Sequence, residues 1–232
     1  MANVTQFLID KSMRLIARGL AAGRLQTIPS GLENIPSQGP GLVVARHYHH
    51  LYDGLAMFAA IRRPFHIVVT LDWAPNRPTK LFFETANRLA RWPTVLRGDA
   101  LLHRANARRS LFTARDIIGY QRKAMRQSVD LLMEGRLLVI FPEGYPNIDP
   151  TYTTKIEPDE FLPFKPGFLN IVSGAEKRLN HKIPIIPAGF HYIRESPWIG
   201  HLRFGSPIYR NNSVEKEVLI RNTEKAVKDL SL

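Results

Sequence analysis

Four short apolar runs limit what this chain can fold into: residues 41–45 (GLVVA), 66–71 (HIVVTL), 137–141 (LLVIF) and 183–186 (IPII). Each is bounded by turn-forming or polar residues and is too short for a buried helix, so each reads as a strand. Between them lie longer stretches of helical periodicity, such as residues 120–133. Strand and helix patterns in alternation predict an α/β fold, a sheet covered by helices. With 232 residues, 44% of them hydrophobic, the chain can build one such core.

The ends of the chain read differently. Ile9, Met13, Ile16 and Leu20 recur at helical spacing with Leu8 and Leu15 beside them, while Asp10, Lys11, Arg14 and Arg18 fall on the other side. This predicts an amphipathic helix, either docked on the core or lying in a bilayer interface with its basic flank against anionic lipid. The turn-rich stretch 29–40 (PSGLENIPSQGP) closes this opening part. The expected division is a helical segment and linker over residues 1–38 and an α/β domain over 39–232. Beyond Ser213, an expected N-cap, a closing helix is predicted. No apolar run approaches the roughly 20 residues of a bilayer span, and charges interrupt the N-terminal apolar residues, so neither a spanning helix nor a signal peptide is expected.

Charge narrows the partners. Thirty-two Lys and Arg against 20 Asp and Glu give +12, which calls for an anionic partner: nucleic acid, an acidic membrane surface or a phosphorylated substrate. Residues 88–126 carry ten Lys and Arg against two acids, so most of the excess sits there. Zinc-finger spacing, RNA-recognition aromatics and basic-region heptads are missing, which disfavours nucleic acid. The chain has no cysteine, which excludes disulfides, thiolate metal sites and a Cys nucleophile and suits a reduced cytoplasm. A G-x-S-x-G elbow, a P-loop and a G-x-G-x-x-G run are also missing.

The chemistry concentrates in residues 46–53, RHYHHLYD, directly after the first predicted strand. A histidine oriented by a carboxylate can take a proton from an acceptor hydroxyl, and His47 with Asp53 forms such a pair. His49 is a second candidate base, because a helical spacing of four would put it on one face with Asp53. His47, His49 and Asp53 could instead ligate zinc, manganese or iron, although the residues that follow do not match a binuclear hydrolase. At residues 141–144 (FPEG), Pro142 fixes φ and Gly144 permits a tight turn, so Glu143 is expected to be presented rigidly at a strand end. Residues 164–167 (FKPG) open a helix. The acid-rich stretch 146–162 reads as a surface loop with a structural role.

In order, GLVVARH, VLRGD, LLVIFPEG, LPFKPG, IPIIPAG and LRFGSPI resemble the glycerophospholipid acyltransferases, the PlsC-like enzymes that acylate lysophosphatidate and related hydroxyls. The resemblance covers residues 39–207 and implies a mixed sheet flanked by helices. It departs in one place: the family separates His from Asp by four residues, and here His47 and Asp53 are separated by five, with Arg46 where Asn is usual. Strand alignment gives His47 as the base and Asp53 as its partner, with His49 the alternative. The resemblance further implies Arg97 as a phosphate-binding residue, with Arg104 its nearest competitor, and Glu143 and Gly144 at the acceptor site.

It implies no cofactor and no metal, with acyl-CoA or acyl carrier protein as donor and a lysophospholipid or glycerophosphate-type acceptor. The expected protein is peripheral to the cytoplasmic membrane face and works in phospholipid biosynthesis. The segment 100–119 is longer than the usual family connection. A basic membrane- or nucleic-acid-binding protein with an altered site, and a metal-dependent hydrolase, stand as alternatives.

Overall fold

The computed structural model describes residues 2–102, 111–211 and 213–232. Its main sheet is mixed and has six strands in the order β1 (Leu25–Ser30), β8 (Trp198–Phe204), β7 (Ile185–Ile193), β2 (Gly41–Ala45), β6 (Leu137–Ile140) and β3 (Phe65–Ile67). Every pairing is parallel except β7 with β8. A second, two-stranded sheet joins β4 (Val69–Thr70) to β5 (Thr94–Val95). Among the described residues the helices are α1 (Ala2–Ala21), α2 (Tyr52–Ala60), α3 (Arg77–Ala90), α4 (Gly98–Leu102), α5 (Ala114–Met133), α6 (Gly167–Leu179) and α7 (Lys216–Leu230).

Alternation within β2 explains the two-sided core. Leu42 and Val44 point to one face, where they pack with Leu131, Phe168 and Val172, while Val43 and Ala45 meet Leu55, Met57 and Phe58 on the other. All of β2 is buried. A strand covered on both faces needs apolar residues at every position, which is why GLVVA shows no polar alternation.

Several local expectations shift. The run 66–71 is not one strand: the chain leaves the main sheet at Val68, whose N–H still reaches Val139 O at 2.9 Å, and Val69 N–H pairs with Pro93 O in the small sheet. Leu25–Ser30, read from sequence as part of the opening segment, is an edge strand alongside β8. Ser213 is not a helix cap. Its N–H is held by Asn211 Oδ1 in a local turn, and α7 begins after Glu215.

α1 packs against α2 and α3 through Met13 and Ala17. Ile16 and Leu20, expected on that same face, instead stand exposed with Leu8 and Leu15. Arg14, expected toward solvent, turns inward and donates to Phe58 O in the last turn of α2 and to Ile61 O and Arg63 O in the segment that follows it. At the other end of the chain, α7 lies directly on β7: a Cβ at Gly189 would come within 2.4 Å of the Leu230 backbone, so this contact requires glycine. Residues 103–110 of the long connection, including Arg104, lie outside the described residues.

Candidate active site

The register of the central strands assembles the site. β2 and β6 are parallel neighbours with Val44 beside Ile140, and three residues beyond each stand His47 and Glu143. β7 lies on the other side of β2 with Ala188 beside Ala45, and it continues to Tyr192 past the end of β2. Three distant segments therefore meet at the C-terminal edge of the sheet, where open α/β sheets expose ligand crevices.

His47 and Asp53 are in contact. Nδ1 of His47 lies 2.9 Å from Asp53 Oδ2, and the His47 ring stacks on Phe141 at 4.5 Å between centroids. Asp53 is fully buried and its carboxylate receives four donors. Oδ2 takes the His47 ring and the backbone N–H groups of Tyr48 (2.7 Å) and His49 (3.1 Å), and Oδ1 takes the Tyr192 hydroxyl at 2.8 Å. A carboxylate oxygen at this place accepts from Nδ1, so it fixes the proton of a neutral His47 on Nδ1 and leaves the Nε2 lone pair for a substrate proton. Burial and the neighbouring Asp53 raise the Tyr192 hydroxyl well above the ordinary tyrosine range, so it acts as a donor.

These contacts absorb the five-residue spacing. α2 starts at Tyr52, so residues 47–51 form a turn whose backbone folds around the Asp53 carboxylate. His49 precedes the helix, and the helical geometry that would pair it with Asp53 is not formed. Its ring caps α2 instead: Nδ1 accepts from the N–H groups of Leu51 (3.1 Å) and Tyr52 (3.2 Å). The ring is stacked on Tyr52 at 4.1 Å, and burial lowers its pKa to about 4. Protonation would occupy Nδ1 and break both cap bonds, so the fold holds His49 neutral. Among the described residues, no three His, Asp or Glu side chains form a metal-binding group.

Glu143 is not presented to a crevice. It is fully buried; Oε1 accepts from the His47 N–H at 2.8 Å, and Oε2 accepts from the Leu162 N–H at 3.0 Å and from Lys155 Nζ at 2.5 Å. Gly144, at φ 78°, makes the turn, and a Cβ there would sit 3.2 Å from Lys165 Nζ. Arg97 is buried beside this turn, with Nε and Nη2 on Asp72 Oδ2 at 2.9 and 2.7 Å. Its Nη1 lies 3.5 Å from Gly144 O and 3.8 Å from Asp149, and its guanidinium covers the Tyr145 ring.

Two participants are missing from the sequence reading. Tyr192 lies 139 positions from its partner Asp53, with no local pattern to mark it. Lys155 left one trace, being the sole basic residue in the acid-rich stretch 146–164. That stretch is no bland surface loop: Ile148 bridges to Tyr48 and His50, and Asp159 O accepts from Arg46.

The acyltransferase family model matches residues 27–191, and the chain belongs to that family. That span runs from within β1 into β7 and so takes in the turn that holds His47 and Asp53. The fold is similar to the crystal structure of the 1-acyl-sn-glycerophosphate (LPA) acyltransferase PlsC from Thermotoga maritima, with a TM-score of 0.60 and 17% identity over 97% of this chain and 79% of that one. No curated protein matches the chain in sequence.

Proposed function

We propose that this acyltransferase moves a fatty acyl group from a thioester of coenzyme A or acyl carrier protein to the hydroxyl of a lysophospholipid or glycerophosphate-type acceptor, with His47 as general base. The observation that carries the reading is the 2.9 Å contact between His47 Nδ1 and Asp53. In this scheme Nε2 takes the acceptor's hydroxyl proton as its oxygen attacks the thioester carbonyl. The tetrahedral intermediate collapses with loss of the thiolate, to which the imidazolium returns the proton. Asp53 stabilises that imidazolium, and the scheme draws on side chains and the thioester alone.

Arg97 supplies the charge for an acceptor phosphate in this reading. Asp72 orients its Nε–Nη2 edge, and Nη1, whose contacts with Gly144 O and Asp149 are long at 3.5 and 3.8 Å, is the donor assigned to the phosphate. The experiment is thiol release from acyl-CoA and acyl carrier protein donors, with acceptors that carry or lack a phosphate monoester. Release that depends on acceptor, and is faster with phosphorylated acceptors, is expected; no release with any pair would sink the reading.

A lipid acceptor must be met at a bilayer. No helix among the described residues is long and apolar enough to cross a membrane. α1 and α3 pack together, and both carry large exposed apolar residues: Leu8, Leu15 (72% exposed) and Ile16 on α1, and Leu81, Phe82 (66%) and Leu89 on α3. Arg18, Arg77 and Arg88 are exposed on the same two helices. The acids of these helices are tied up, Asp10 by Arg14 and Glu84 by Tyr120. Apolar residues flanked by cations suit peripheral attachment to an anionic leaflet, here the cytoplasmic membrane face. In flotation assays the protein is expected to rise with phosphatidylcholine vesicles containing phosphatidylglycerol, and Leu15→Gln/Phe82→Gln to stay below. Equal flotation of the two proteins would remove these residues from the contact.

A further inference from the structure

The main chain of His47 is gripped on both sides by one buried ion pair. Its N–H donates to Glu143 Oε1 at 2.8 Å, and its carbonyl accepts from Lys155 Nζ at 2.9 Å. Glu143 and Lys155 are joined at 2.5 Å, and neither side chain is exposed to solvent. The third ammonium donor goes to Asn147 Oδ1 at 3.0 Å, and the second Glu143 oxygen also takes the Leu162 N–H. Each hydrogen-bonding group of the pair is thereby used within the fold.

A buried ion pair is weak evidence for stability, because desolvating both charges offsets much of their attraction. Packing alone could fill this space with apolar side chains. What the pair adds is geometric: it fixes the peptide groups on both sides of the His47 Cα, while Asp53 and Phe141 fix the ring. From this we infer that Lys155 is a positioning residue for acyl transfer, acting through Glu143 and the His47 carbonyl to hold the base in line with the acceptor hydroxyl. The inference rests on His47 being that base.

Groups around the pair fit this role. Arg46, between the rings of Tyr48 and Phe161 at 4.9 and 4.1 Å, and Asp53 are the nearby buried charges, so two cations face two carboxylates across the His47 turn. Burial pulls the Lys155 ammonium below the ordinary lysine range, and contact with Glu143 opposes that shift. The lysine enters from the 146–162 loop, so that loop is part of the machinery that aims the histidine.

The test compares wild type with Glu143→Gln/Lys155→Met, which removes both charges at similar volume and leaves no buried ion unpaired. The expected result is a folded protein whose kcat falls at least about 10-fold while KM for donor and acceptor stays within about 2-fold, since misplacing a reacting group acts on the chemical step. Amide exchange at His47, read by NMR, is expected to accelerate by about 10-fold or more as the clamp loosens. A folded double variant with wild-type kcat, or with unchanged exchange at His47, would overturn the inference. Lys155→Gln, read by the same two measurements, serves if the double variant does not fold. Wild-type protein without acceptor-dependent thiol release would count against His47 as base; the exchange measurement needs no substrate and judges the clamp separately.

Discussion

His47→Ala should lower acyl transfer by about 10²- to 10⁴-fold, the range that a positioned general base contributes. The fold should survive, because the ring is partly exposed and Asp53 keeps three other donors after its loss. Thiol release with saturating acceptor and a thermal melt check both halves of the expectation. His49→Ala gives the opposite pattern: it removes the cap of α2, costs about 1 kcal/mol of stability and leaves turnover near wild type. Full activity in His47→Ala, with loss in His49→Ala, would move the base to the capping histidine.

The second large effect is at Asp53, and two replacements separate charge from shape. Asp53→Leu leaves the His47 ring N–H, two backbone N–H groups and the Tyr192 hydroxyl without an acceptor in a buried space. At about 1 kcal/mol or more for each orphaned donor, the loss is a large part of a domain's margin of roughly 5–15 kcal/mol. Urea unfolding should place its midpoint far below wild type. Asp53→Asn keeps an oxygen toward the three N–H donors, and the Tyr192 hydroxyl can turn to accept from the amide, so the fold should hold. Without the negative charge the imidazolium is no longer stabilised, and kcat should drop by about 10²-fold or more with little change in KM. An asparagine variant with wild-type kcat would show that the carboxylate serves the fold and not the reaction.

What the sequence revealed and what it hid follow from the range of the interactions. β2 and β6 were legible because burial on both faces leaves an unbroken apolar run. The edge strand β1, LQTIPS, has mostly exposed residues and a proline, so it gave no such run. His47 and Asp53 lie six positions apart and could be paired from spacing and resemblance. The same spacing logic misjudged His49, because it assumed that a helix already existed at residue 49. Glu143 was picked out by its turn, but its direction was set by a lysine twelve residues later and by the backbone of the turn that follows β2, neither of which leaves a periodic signal. Tyr192 could be found only once β7 was known to overrun β2.

The position of β1 alters how the start of the chain should be regarded. Its six residues pair with β8 along the whole of their length, from Leu25 beside Trp198 to Ser30 beside Arg203. Trimming the chain to the next strand would move the open border of the sheet from the short, proline-containing β1 to β8 and strip the partners from the β8 backbone, a border on which neighbouring molecules can pair. The opening thirty residues thus end in a strand of the main sheet, and a truncation that preserves that sheet has to keep Leu25 onward.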